Sequence, residues 1–246
     1  MRIYRLQGVI HPRRALIAND AFSCKLSHTG SGNKASLSAS ILMNELAVRI
    51  ETPDEWDIFT LRNVVRSMTQ TELALIGYLT GHAYSIEMVR IECDEPRIDI
   101  VYGIDIPTIA NRRREMDFST ALAQLKKLCV GTTGPYVRRC MGDLVLAMQH
   151  TEDTAFFCYR AIEALKNHAT KSHSGPPGNE SDQWKRFRSA ADCTRDEIDF
   201  IKNEADPLRH SSDLLRESKD LDAILTQTWK IVEGYVTHLS KVPPTE

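Results

Sequence analysis

The stretch YVRRCMGDLVLAMQHTEDTAFFCYRAIEALKNHA, residues 136–169, decides the fold of the second half of the chain. Its apolar residues recur three and four positions apart, which is the spacing of one helix face. The polar segment HTEDT, residues 150–154, divides the stretch into two predicted helices, with Asp153 or Thr154 capping the second. The apolar positions are Val137, Met141, Leu144, Val145, Met148, Phe156, Tyr159, Ile162 and Leu165.

Helical patterns also flank this stretch. FSTALAQLKKL, residues 118–128, predicts a short amphipathic helix, and residues 218–241 predict a last one. TRDE, residues 194–197, has the form of a capping box and predicts a helix start. KSHSGPPGNES, residues 171–181, has two prolines and two glycines among polar residues and predicts a flexible loop.

The first part of the chain predicts strands with one helix between them. The helix opens at TPDEW, with Thr52 or Asp54 as its cap. The predicted fold class is therefore α+β: a strand-rich N-terminal domain over residues 1–117, followed by an all-α helical bundle over residues 118–246. The strand-like stretches, rich in Ile, Val and Tyr, are RIYRLQGVI, SASILMNELAVRIET, SIEMVRIE and RIDIVYGIDI.

Composition limits the classes of function. Residues 1–117 hold 14 Lys+Arg and 15 Asp+Glu, and residues 118–246 hold 17 and 18, so neither part has the basic excess that grips long duplexes. Any nucleic acid must be bound by a local patch. The six cysteines form no CxxC pair, and no stretch reads as a signal peptide or membrane span. A cytoplasmic protein with reduced thiols and no membrane partner is expected.

The stretch NEADPLRHSS, residues 203–212, carries the main chemical candidates. Pro207 is expected to kink the helix just before Arg209 and His210. Arg209 offers forked donors suited to a phosphate, and His210 can give or take a proton near neutral pH. Those groups suit a metal-independent ribonuclease, which needs acid–base groups and a cation at the phosphorane. Alternatively, both residues complement a helix C-terminus.

Arg160 and Glu163 form a second candidate pair, three positions apart on one helix face. A mutual ion pair is one interpretation, and a partly buried network that includes Asp206 or His210 is another. A third is that the pair orients the Arg209 and His210 site. His168 and His173 lack the spacing of a zinc site, and no cofactor motif is present, so neither a metal nor a cofactor is expected.

The order of YRAIEAL, WKRFRSA and IDFIKNEADPLRH resembles the C-terminal region of bacterial proteins related to the HEPN superfamily. WDIFTLRNVVRSMTQTELALIGYLTGHAYSIEM resembles the strand-rich part upstream in such proteins. The resemblance implies a HEPN-like helical bundle that forms a homodimer and acts as a metal-independent endoribonuclease in phage-defence or toxin systems. The active HEPN motif is Arg-x4-6-His, whereas residues 203–205 of this chain are Asn, Glu and Ala.

Two functional hypotheses follow from these patterns. The first is an RNA-binding protein that could cleave RNA without a metal, with His210 as general acid or base, Arg209 holding phosphate, and Arg160 and Glu163 orienting them. The second is a non-catalytic adaptor or sensor that binds a protein partner in a defence or regulatory complex, with the same four residues as a structural network.

Overall fold

The computed structural model describes residues 1–28, 31–103, 106–111, 116–172, 178–209 and 221–241, with the backbone alone at positions 19, 107, 108 and 209. The chain divides into two compact units, Met1–Ile104 and Asp105–Glu246. Strands and one long helix lie in the first unit and helices follow in the second, so the α+β class is confirmed. The structural division precedes the predicted domain boundary after residue 117, which stays a prediction.

The first unit is built on strands β1 Arg2–His11, β2 Asn19–Ser27, β3 Lys34–Leu42, β4 Glu45–Thr52, β5 Ser85–Cys93 and β6 Ile98–Val101. They form one sheet in the order β2-β3-β4-β1-β5-β6, and each neighbouring pair is antiparallel. Burial alternates along β3 because successive side chains point to opposite faces. The apolar face, which includes Tyr4, Leu6 and Ile50, forms the core of this unit.

The sequence analysis missed β2 and interpreted β3 and β4 as one continuous segment. Met43 and Asn44 separate these two strands, and both have positive φ angles of 52° and 64°. Such angles are typical of a tight hairpin turn. Methionine is not a residue that predicts such a turn from the sequence, because Asn, Asp and Gly are the usual residues there. Asn44 fixes the turn through its buried side chain, which accepts a hydrogen bond from the backbone N–H of Ile17 at 2.6 Å. A buried side-chain contact therefore sets a turn that local sequence does not reveal.

Helix α1, Ile58–Thr80, confirms the predicted helix of the first unit. It buries Leu61, Val65, Thr69 and Leu73 on one face. The predicted cap was wrong: Thr52 ends β4, and Asp54 accepts a hydrogen bond from the backbone N–H of Lys34 at 2.8 Å. Asp57 caps the helix instead, accepting from the backbone N–H of Thr60 at 2.7 Å.

The second unit contains helices α2 Pro107–Ala110, α3 Phe118–Leu128, α4 Gly134–Gln149, α5 Thr154–Lys171, α6 Glu180–Ala191, α7 Arg195–Arg209 and α8 Leu221–Lys241. The predicted division of residues 136–169 is confirmed, and a single 3-10 turn, Thr151–Asp153, joins α4 to α5. Within the described ranges, no helix combines the length and the apolar character needed to cross a membrane.

Helix α5 is the centre of the second unit and packs against α4, α6, α7 and α8. Its buried residues include Cys158, Ala161, Ile162 and Leu165. Around it lie the buried side chains of the neighbouring helices, among them Val137, Phe187, Ile201, Ile231 and Tyr235.

The predicted capping box at the start of α7 is confirmed. The backbone N–H of Glu197 donates to Thr194 Oγ1 at 3.2 Å, and the backbone N–H of Thr194 donates to Glu197 Oε2 at 2.7 Å. The Glu197 carboxylate also binds the ammonium of Lys230 on α8. Lys230 and then the Thr194 N–H lower the pKa of Glu197 to about 2. One side chain therefore caps α7 and ties it to α8.

A glycine allows α6 and α8 to approach closely. A Cβ atom at Gly234 of α8 would overlap the carbonyl oxygen of Ala191, the last residue of α6. Gly142 of α4 offers the opposite case, because a Cβ there would meet no atom within 4 Å. Both glycines are inside helices, where glycine is entropically unfavourable relative to alanine.

We expect Gly234→Ala to lower the free energy of unfolding by about 1–3 kcal/mol, because the added methyl group forces the two helices apart. Gly142→Ala is the matched control and should raise it by about 0.4–1 kcal/mol, because alanine restricts the unfolded chain. Urea denaturation of both variants measures the difference. Equal shifts in the two variants would contradict the close approach of α6 and α8.

Candidate functional site

The second unit contains a cleft of about 1310 Å³ lined by residues from α3, α4, α5, α6 and α8. Within the part of the chain that the structure describes, no carboxylate lines this cleft, and its basic side chains are Lys127, Lys171, Lys185, Arg186 and His238. We call this the cationic cleft. It lies in a chain whose formal net charge is −2, so the positive charge is local.

Helix positions explain why these cations converge. Lys127 lies in the last turn of α3, and Lys171 and His238 lie in the last turns of α5 and α8, where positive charge complements the helix dipole. Lys185 and Arg186 belong to α6, which packs its buried Phe187 into the core. The same helix therefore packs against the core and lines the cleft with cations.

His168 lies at the floor of the cationic cleft and is only 6% exposed. Its Nδ1 lies 2.8 Å from the hydroxyl oxygen of Tyr235, and its Nε2 lies 3.1 Å from Thr133 Oγ1 and 2.9 Å from Ser172 Oγ. Burial, and then the charge of His238, lowers the pKa of His168 below its usual value. We therefore assign a neutral ring at pH 7.

Arg160 faces a different environment. Its Nη2 lies 2.7 Å from Oδ1 of Asp143, which is 2% exposed, and its guanidinium stacks over the rings of Phe156 and Phe157. Arg139 binds the other oxygen of the same carboxylate, with an Nε to Oδ2 distance of 2.9 Å. Burial raises the pKa of Asp143, and Arg139 opposes that rise. The carboxylate thus joins α4 to α5 through Arg160, while Arg139 binds it from the same helix.

The other predicted site residues are only partly described. Glu163 lies on α5 three positions after Arg160, and it takes part in an interaction within the protein. The side chain of Arg209 and all of His210 lie outside the described residues. The kink expected just before Arg209 and His210 stays a prediction. Helix α7 includes Pro207 and ends at Arg209. The site that Arg160, Glu163, Arg209 and His210 are expected to form together therefore stays a prediction.

Sequence reasoning missed the residues that meet at the floor of the cationic cleft. In the sequence, His168 is a candidate only for metal binding, together with His173, which lies outside the described residues. In the described part of the chain, no group of three or more His, Cys, Asp and Glu side chains could hold a metal ion. Asp143 was also missed, although an acid at an apolar position of α4, beside Leu144, is visible in the sequence.

Asp143→Ala should lower the free energy of unfolding by about 3–5 kcal/mol, because it leaves the partly buried Arg160 without its carboxylate. Asp199→Ala is the matched control: Asp199 also pairs with an arginine four positions earlier, but this pair is exposed. Asp199→Ala should lower the free energy of unfolding by less than about 1 kcal/mol. Chemical denaturation measures both, and a similar small cost for the two variants would show that the Asp143 pair contributes little.

The domain of unknown function DUF8168 matches the chain in two parts. Its N-terminal domain matches residues 4–102, and its C-terminal domain matches residues 122–240. Neither a curated protein nor a solved structure matches the chain. The resemblance to the HEPN superfamily therefore stays a prediction. The two matched domains together span most of the sequence, the N-terminal one first, and the chain belongs to the DUF8168 family.

Proposed function

We propose that this protein is a cytoplasmic RNA-binding protein and that RNA binds in the cationic cleft. The observation that supports the proposal is the lining of the cleft, where basic residues come from four helices and no carboxylate is present among the described residues. Cations that neutralise phosphates supply most of the affinity in nucleic-acid binding. Hydroxyl groups such as those of Ser189 and Ser240, also in the lining, are common phosphate donors.

The distribution of charge supports a local contact with RNA. Residues 118–246 hold 17 Lys+Arg and 18 Asp+Glu, so the region outside the cleft is net acidic once the cationic lining is set aside. This balance leaves no basic excess outside the cleft with which to hold a long duplex. Tyr136 adds an aromatic ring to the cleft, and aromatic rings stack on the bases of single strands. Single-stranded RNA is therefore the favoured form.

The finer proposal is a metal-independent endoribonuclease of a phage-defence or toxin-type system that acts as a homodimer. In this proposal His210 is the general acid or base and Arg209 holds the phosphate. Arg160 and Glu163 support them from α5. The contact between Arg160 and Asp143 supports a rigid position for that guanidinium, because two fixed partners restrict it: the carboxylate and the stacked rings.

An interaction module is the second candidate function. Helix α3 buries none of its residues, and Phe118 and Leu122, which are 56% and 39% exposed, lie one helical turn apart. An amphipathic helix with an exposed apolar stripe is a common contact for a protein partner. In this alternative the protein is an adaptor or sensor of a defence or regulatory complex, and the Arg160 and Asp143 contact is structural.

Lys127→Glu should weaken binding of a labelled single-stranded RNA at least about tenfold in 0.1 M salt, because it reverses a charge in the cleft. The slope of log affinity against log salt should become shallower by about 0.7 for the lost phosphate contact. Lys126→Glu is the matched control, since Lys126 precedes it in the last turn of α3 but does not line the cleft. Fluorescence anisotropy measures both. Equal losses in the two variants would place RNA outside the cleft.

The endoribonuclease proposal predicts RNA cleavage that survives EDTA and leaves 2′,3′-cyclic phosphate ends. The Arg209→Ala/His210→Ala double variant should lose this cleavage while keeping the circular dichroism spectrum of the native protein. Pooled tRNA and mRNA are the substrates, and gel electrophoresis with end analysis is the measurement. A native protein that binds RNA but leaves both pools intact would count against cleavage and in favour of a binding or sensor function.

A further inference from the structure

Two hydroxyl groups and a ring nitrogen meet at one point on the floor of the cationic cleft. Thr133 Oγ1 and Ser172 Oγ both lie within 3.1 Å of His168 Nε2. Thr133 is the residue before α4, and its side chain makes no capping bond there. Ser172 is the residue that follows α5. The ends of two helices thus bring three polar groups into one small space.

The hydrogen bonds around His168 assign its tautomer. Ser172 donates its proton to the backbone carbonyl of His168, at 2.9 Å, so its oxygen is free to accept from Nε2. Burial raises the pKa of Tyr235, so its hydroxyl stays protonated and has a proton to donate to Nδ1. We therefore assign the tautomer in which Nδ1 accepts from Tyr235 and Nε2 carries the ring proton. In this tautomer His168 directs an N–H donor toward Thr133 and Ser172.

Cations line the same cleft as this group of donors. Lys171 precedes Ser172, and its ammonium lies 5.6 Å from the ring centroid of Tyr136, which contacts the ring of His168. Lys127 and Lys185 line the same cleft from α3 and α6. Neutral donors with several cations beside them favour a ligand group that concentrates negative charge and acceptor oxygens. A phosphate monoester carries a charge of about −2 near neutral pH and three acceptor oxygens.

An internal phosphate of an RNA chain is a poorer match. It carries a single negative charge, and the chain on both sides of it would have to leave the cleft. A terminal phosphate monoester carries about two negative charges and needs only one exit path, or none in a free nucleotide. Charge and access therefore both favour the end of a strand over its middle.

We propose that the floor of the cationic cleft, formed by Thr133, His168 and Ser172, binds a terminal phosphate monoester, either at an RNA end or on a free nucleotide. The RNA form of this inference rests on the proposed function, and the nucleotide form does not. In this site binding exchanges two bonds of the unbound protein: Ser172 turns its proton from the His168 carbonyl to a phosphate oxygen, and the His168 N–H donates to the phosphate in place of the hydroxyl oxygens. The Thr133 hydroxyl donates to a further phosphate oxygen, and Lys171 lies in the same lining.

Isothermal titration with three RNA hexamers of one sequence tests this inference. One hexamer carries a 5′-phosphate, one a 3′-phosphate and one neither, and 2′-O-methyl riboses keep all three from being cleaved. We expect one of the phosphorylated hexamers to bind at least about tenfold more tightly than the hexamer without a terminal phosphate. Adenosine monophosphate, titrated alone, tests whether a free nucleotide is sufficient.

Two single variants and one control locate the effect. Ser172→Ala and Thr133→Val should each reduce the preference for the terminal phosphate several-fold. Thr170→Ala is the matched control, since its hydroxyl also donates to a carbonyl four positions earlier on α5 but does not line the cleft. It should leave the preference unchanged, and circular dichroism verifies that all three variants fold.

The possible outcomes separate this inference from the proposed function. Equal affinity for the three hexamers would overturn the terminal-phosphate site and leave RNA binding intact. Binding of adenosine monophosphate alone, lost in Ser172→Ala, would support the site and overturn RNA as its ligand. Binding of none of the four ligands would overturn both. A preference that survives Ser172→Ala and Thr133→Val would place the phosphate elsewhere and overturn the inference.

Discussion

The second unit depends on one constraint, which is that four neighbouring helices enclose α5. A polar side chain of α5 that faces those helices must form a hydrogen bond or an ion pair with one of them. Thr154 at the start of α5 donates to the carbonyl of Ala147, Arg160 in the middle binds Asp143, and His168 near the end bonds Tyr235. One requirement thus produces three contacts along one helix. The last of them borders the cationic cleft.

The middle and the end of α5 differ in how charge is balanced. At Arg160 the positive charge meets a buried carboxylate and two aromatic rings, so it is balanced within the protein. At His168 the ring is neutral, and the charged side chains described in the adjoining lining are basic. A ligand of negative charge can balance that excess, which is why RNA binding is proposed at the cationic cleft.

The sequence predicted the helices more fully than the strands, for identifiable reasons. FSTALAQLKKL matches α3 residue for residue, and TRDE forms the predicted capping box, because apolar spacing and caps are local patterns. The hairpin at Met43 and Asn44 depends on a buried side chain that bonds a distant backbone group, so no local pattern showed it. The cleft floor was missed for the same reason, since Tyr235 lies 67 residues beyond His168. The predicted Arg209 and His210 site lies beyond what the structure describes.

Helix α3 forms one wall of the cationic cleft. None of its side chains is fully buried, although Leu128 is partly buried and packs against the core. The helix therefore loses less apolar contact than α5 would on leaving the bundle, and its local opening requires less free energy than global unfolding. The amide protons of α3 should then exchange with solvent far sooner than those of α5. A ligand could enter the cleft through this local opening while the core stays closed, and a bound anion beside Lys127 would slow that exchange.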